Sequence, residues 1–436
     1  MIVSKKSFWA AQVPMLSVGG MAAALMFIDL LMPFTSAYAD VAPAYLLYLG
    51  FFTILYVFYT FLVVALEATI PHYSNAVRVP NKVMNSSMSI ACFLSVLGVC
   101  SLVVDRTIYQ GVDFFTQNFV EIRSRLNAER PPGSGVSSIF SVFGNLFQFT
   151  YFFTLICLVF YSELIGRRKR IMYWFVVLGL LFSGSYMLGG RSIIGLFALT
   201  LVGAIVARVV SGRSQLGRLL KFRFLVVMFV FGWLVLFAIA FVFYARASVS
   251  DLSSSDYLLN FVEHLRGRAV VGYARCGGGV ECDFLNYLQL SGIYVSHIFW
   301  VFAELVENPI INPQGFPVYG ATAVILEKMT GRFSGDYEFA GLFNSLPGSL
   351  YYQYGALGMI VGGIFLGCSL AFAVVSLRSR GGILSLVSFY ALFMILLVAP
   401  VLSILNMMVF IFMFFSLVVM SLAYLVGVAI NRRLAK

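Results

Sequence analysis

The sequence predicts an all-α, polytopic transmembrane helix bundle of about ten spans, with both termini inside and one large external loop. Three observations predict it. The residues are 61% hydrophobic and only 11% charged, too little polar surface to wrap a soluble core of 436 residues. Apolar stretches of about 20 residues, the length that crosses a bilayer as a helix, recur along the chain. Lysine and arginine gather at alternate ends of those stretches, as the positive-inside rule requires.

The spans read as 14–35, 43–66, 85–104, 138–162, 171–188, 192–210, 224–245, 354–376, 383–401 and 403–430. Lys5 and Lys6, an apolar run and Ala37-Tyr38-Ala39 before Asp40 also have the outline of a signal peptide. The run is long and contains Asp29, so an uncleaved first span is the expectation. Basic clusters at Arg167–Arg170, Arg208–Arg223, Arg378 with Arg380, and Arg432, Arg433 and Lys436 mark cytoplasmic ends. The inside segments then hold 18 Lys/Arg against Glu67 and Glu163, a net of +16, while the outside segments net −4. With Asp29 inside the membrane this returns the overall +11. The basic charge is therefore a topology signal, and no nucleic-acid partner is expected. Phe284 to Phe302 is apolar enough to enter the membrane, and reads as a helix lying on or dipping into the outer leaflet.

Three regions follow: spans one to seven over 1–245, with an external loop at 105–137; a large external loop at 246–353; and spans eight to ten over 354–436. In the first loop Phe115, Phe119, Ile122 and Leu126 recur at helical spacing, with Glu121 and Arg125 paired on the other side, before Pro131-Pro132-Gly133. An interfacial helix and a solvated cap on the bundle fit that pattern equally.

Arginine outside the membrane is the most informative chemistry. Arg191, in Gly189-Gly190-Arg191-Ser192, sits between two spans with almost no loop, at the outer boundary. A guanidinium there can grip a phosphate oxygen pair with two hydrogen bonds, or simply snorkel. Arg266, Arg268 and Arg275 crowd together among Gly267, Gly272 and Gly277-Gly278-Gly279, where exposed amides suit an anion; a solvated basic turn is the plainer reading. Arg246 opens the same loop. Candidate bases are Glu263 and His264 beside these arginines, followed by Glu281, Asp283, His297, Glu304, Glu307, Asp336 and Glu338. The pairs Glu281-x-Asp283 and Asp336-x-Glu338 are common by chance, and no metal centre or cofactor is expected. No Walker A, His-Glu-x-x-His or Gly-x-Ser-x-Gly motif occurs. Of the six cysteines only Cys276 and Cys282 fall in a polar loop; in an oxidising compartment they are expected to form a disulfide across a glycine-rich turn.

The layout and three local features resemble the O-antigen polymerase (Wzy) family of bacterial polysaccharide polymerases. Gly190-Arg191-Ser192 looks like the arginine that these polymerases and related ligases place at the outer end of a span. Arg266 to Gly277 and Arg268 to Gly279 each match the family's arginine-ten-glycine spacing. In the earlier loop Arg123 and Arg125 precede Gly133 and Gly135 one residue too closely. Tyr351-Tyr352-Gln353-Tyr354-Gly355-Ala356-Leu357-Gly358 looks like the segment that closes the large loop. The resemblance implies a glycosyltransferase of the bacterial inner membrane, active on its periplasmic side. Its partners would be undecaprenyl-pyrophosphate-linked glycans, membrane lipids and a chain-length regulator. Arg191, Arg266 and Arg268 would stabilise the leaving pyrophosphate, with Glu263 or His264 as base. Arg246, Arg275, Gly277 and Gly279 would contact substrate. A transporter and a ligase remain the alternatives; transport is disfavoured by the single acid, Asp29, deep in a span.

Overall fold

A computed structural model describes residues 5–69, 81–113, 138–187, 192–214, 240, 243–244, 252–271, 273, 276, 279–308 and 344–434. Among them, eight helices are long and apolar enough to cross a membrane, and a ninth candidate is a bent pair. This is the architecture of an all-α, multi-pass membrane protein. Helix is the only open form available in lipid, because each amide must be satisfied within its own segment.

The chain runs α1 (Lys5–Leu31), β1 (Phe34–Ser36), α2 (Ala42–Thr69) and α3 (Asn81–Val104), which continues into a π-turn over Asp105–Tyr109. The expected fourth span is two helices, α4 (Ile139–Phe147) and α5 (Tyr151–Phe160), joined by a 3-10 turn at Gln148–Thr150. Serine and threonine make that break tolerable. Ser95 Oγ accepts from the Tyr151 amide at 2.8 Å, and Thr150 donates to the Ala91 carbonyl at 2.7 Å. Then follow α6 (Arg167–Met187), α7 (Ser192–Val210), α8 (Ser254–His264), β2 (Gly267–Ala269), α9 (Val280–Ser296), α10 (Ile298–Glu307), α11 (Leu346–Arg380), α12 (Ile383–Val398) and α13 (Met408–Leu434). The expected seventh span, 224–245, and the amphipathic stretch 115–126 fall almost wholly or wholly outside the described residues.

Several boundaries differ from the sequence expectation; the first helix ends at Leu31, short of 35, and Phe34–Ser36 is β1. The eighth span begins at Leu346 rather than 354, so the last turns of the supposed loop are helical. They meet the span at a break on Gly355, whose φ of 67° and ψ of −165° suit glycine alone. The apolar segment 284–302 is the α9–α10 pair, bent by 43°. The bend sits at the end of the bundle where α1 stops and α2 starts. Gly292 faces Met32 and Ile28, and Phe299 packs its ring against Tyr45 and Tyr48.

Helix ends sort onto two faces. At the basic end Glu163 pairs with Arg208 at 2.8 Å and Arg213 at 2.5 Å, Tyr161 donates to the Gly381 carbonyl at 3.1 Å, and Arg378 pairs with Glu67. Burial pushes the Glu163 carboxyl up, but the two arginines outweigh it and hold it below the ordinary range. The opposite, loop end collects β1, β2, α8 and the α9–α10 bend, together with the contact of Leu346 N with the Ala399 carbonyl at 2.9 Å. Helix α2 runs beside α11 from one face to the other, through Gly363 and Gly367, which are one turn apart.

Candidate functional site

The site is built on a helix end. Helix α8 starts at an N-cap, Ser253, whose side chain accepts from the Asp256 amide, and it stops at His264. Two residues later the chain takes a left-handed turn. That position usually belongs to glycine, because a Cβ crowds the neighbouring carbonyl. Here it is Arg266, with φ of 62°, the one non-glycine residue with positive φ among those described. Its amide donates to the Glu263 carbonyl at 2.9 Å. Such strain persists only where the surroundings hold it, and it concentrates at functional sites.

What holds it is legible. Strand β2 pairs antiparallel with β1, in the register Phe34–Ala269, Thr35–Arg268 and Ser36–Gly267. The ladder is extended at both ends: the Ala37 amide donates to the Arg266 carbonyl at 2.9 Å, and the Val270 amide to the Pro33 carbonyl at 3.0 Å. The turn is thereby stitched to the segment that leaves α1. From the other side, the Trp300 ring of α10 lies against Gly267, where an added Cβ would come within 2.2 Å of the indole. One turn further along α10, Glu304 forms an ion pair with the Arg266 guanidinium, which is half-buried.

The candidates separate accordingly. Arg266 is held by its backbone and by Glu304. Arg268, on β2, is exposed, as are the side chains of Glu263 and His264 at the end of α8. Gly279 is the N-cap of α9. Cys276 and Cys282 are joined as a disulfide with a Cα–Cα separation of 5.6 Å, which fastens the chain after β2 to the first turn of α9. Arg191, Arg246, Arg275 and Gly277 lie outside the described residues, as do Asp336 and Glu338. Asp283 accepts from Ser254, and Asn286 donates to Ser254 and Ser255, so this acid ties α8 to α9. His297, at the bend, is buried, with Nδ1 at 3.2 Å from the Ile293 carbonyl. No group of three or more potential metal ligands converges among the described residues.

Sequence reasoning named Glu304 only as one of many acids and Gly355 only as part of a Tyr-rich segment, and missed Trp300. Nothing local marks an acid that will pair with an arginine from another loop.

The disulfide gives a direct expectation. In non-reduced membranes neither Cys276 nor Cys282 should react with a membrane-impermeant maleimide, and both should react after reduction. Cys276→Ser should leave Cys282 reactive without reduction. Because the closed loop is short, the chain-entropy gain is small, at most about 3 kcal/mol, and loss of order in the turn should exceed loss of global stability.

Comparison with family models, with curated proteins and with solved structures finds no match to this chain.

Proposed function

We propose that the chain is a membrane glycosyltransferase. In this reading it polymerises oligosaccharide repeat units carried on undecaprenyl pyrophosphate, at the periplasmic face of a bacterial inner membrane. One observation carries the reading: an arginine picked out by its spacing, Arg266, occupies a strained turn and is clamped to Glu304 at the end of a multi-pass bundle. The basic end, with Arg378 and Arg208, would face the cytoplasm, and the Arg266 turn would then lie on the outer side.

The chemistry follows from the leaving group. The bond that breaks joins the anomeric carbon of the growing glycan to a pyrophosphate oxygen. The bond that forms joins that carbon to a hydroxyl of the incoming repeat unit. Pyrophosphate departs as a stable anion and needs no general acid, only preorganised cations where its charge grows. Arg266 and Arg268 supply them from β2 and its turn, with Arg191 as a further candidate. The acceptor hydroxyl loses a proton, for which exposed Glu263 or His264, one turn away or less, is the base. Both lipid-linked substrates reach a site at this boundary by lateral diffusion.

The test is reconstitution of the purified chain with lipid-linked repeat units. A ladder of glycans on lipid is the expected product. Transfer only to a different, non-repeat acceptor would make the chain a ligase. No covalent product, with lipid-linked glycan moved across the vesicle bilayer, would make it a transporter.

A further inference from the structure

We propose that Asp29 is the positioning residue of the Arg266 turn, acting through Trp300. The inference rests on the reading of Arg266 as a ligand of the leaving pyrophosphate.

Asp29 lies in the last turn of α1 and is buried. A carboxylate at such a depth is costly unless donors surround it. Three elements contribute donors here. Tyr45, in the first turn of α2, gives its hydroxyl to Asp29 Oδ2. Ser296, the last residue of α9, and Trp300, in the first turn of α10, turn their hydroxyl and indole N–H toward the same carboxyl. Neither closes a regular hydrogen bond: Asp29 Oδ1, Ser296 Oγ and Trp300 Nε1 are all buried and unpartnered. The nest therefore brings donors to one carboxylate from both sides of the α9–α10 bend. An indole N–H is a donor only, so the arrangement suits an anion at its centre and not a metal cation.

Trp300 connects this nest to the site. Its N–H faces Asp29, while its six-membered ring is wedged against the backbone of Gly267, the residue after Arg266. Glu304 stands at i+4 from Trp300, on the same face of α10, and holds the Arg266 side chain. Both restraints that reach Arg266 from α10 thus start from a helix whose first turn abuts the Asp29 carboxyl. Removing the carboxylate leaves two buried donors with nothing to face, and α10 gains freedom to slide along Gly267.

Two readouts test this. In a chain with Trp9, Trp174 and Trp233 replaced by phenylalanine, acrylamide quenching reports on Trp300 without any substrate. Asp29→Ala should cause a loss of its shielding, Asp29→Asn a smaller loss, and Tyr45→Phe little. In the polymerisation assay Asp29→Asn should lower kcat about tenfold or more with KM nearly unchanged, because a misplaced cation costs the transition state and not binding. In the residual activity of the Arg266→Lys background the same Asp29→Asn change should cost much less, since its effect passes through that position. Equal losses in both backgrounds, or a Trp300 as shielded in Asp29→Ala as in the parent, overturn the proposal. If the parent makes no polymer, the polymerase reading falls and the quenching result alone decides this one.

Discussion

Arg266→Ala is expected to abolish polymer while the chain stays at its normal level in the membrane. The guanidinium is asked to stabilise a pyrophosphate leaving as an anion, and one such preorganised donor is worth about 3 kcal/mol, a factor on the order of a hundred in rate. Arg266→Lys should recover little, because an ammonium is a point charge and cannot span two phosphate oxygens. Alanine brings a second effect in the same direction. A shorter side chain in a left-handed turn keeps the strain but loses the Glu304 anchor. Arg266→Gly separates the two: it relieves the backbone at φ of 62° and still removes the cation. A strained structural arginine predicts that glycine is tolerated; a pyrophosphate ligand predicts that glycine is as inactive as alanine. Glycan ladders from cells carrying each variant, with the chain quantified in the same membranes, decide between them. Full-length glycan from Arg266→Gly cells would remove the arginine from the chemistry.

The long apolar helices were legible because lipid imposes composition on them, and composition is local. Breaks within them were not. Within the apolar run from Ile139 to Phe160, Gln148 and Thr150 are polar, but the partners that accommodate the 3-10 turn there, Ser95 and Ala91, belong to another helix. Gly355 was visible as one glycine of a Tyr-rich segment, but only its backbone angles distinguish it as the hinge between the end of the loop and the span. The arginine cluster was found by spacing. Its architecture was hidden, because β1 lies in what reads as the tail of a first span and Glu304 in a segment that reads as interfacial. Asp29 was seen as an isolated acid; its partners Tyr45, Ser296 and Trp300 come from separate elements and share no periodicity with it.

Gly367→Leu is expected to disrupt the packing of α2 on α11 strongly. Helices in lipid gain nothing from apolar burial against each other, so they associate through close packing, and small residues one turn apart permit it. On α11 these are Gly363 and Gly367. A Cβ at Gly367 would sit 2.6 Å from the Leu55 carbonyl oxygen of α2, a backbone atom that cannot rotate away. A Cβ at Gly363 would meet the Ile54 side chain at 3.3 Å, which a small shift relieves. Leucine at 367 must therefore push α2 and α11 apart, at a cost of about 3 kcal/mol. The same separation would reach both ends of the interface. The Arg378–Glu67 ion pair lies at its basic end, and at the loop end α2 would also shift against the Pro400 carbonyl, beyond α12, which the Tyr48 hydroxyl contacts at 3.4 Å. Gly363→Ala should be mild. Gly50→Leu, on α2 where nothing lies within 4 Å of a new Cβ, is the matched control for added bulk. Thermal midpoints of the detergent-solubilised chain, read by size-exclusion chromatography after heating, should fall in the order Gly367→Leu well below Gly363→Ala, with Gly50→Leu close to the parent. A Gly367→Leu chain as stable as Gly50→Leu would mean that α2 and α11 do not pack through this glycine.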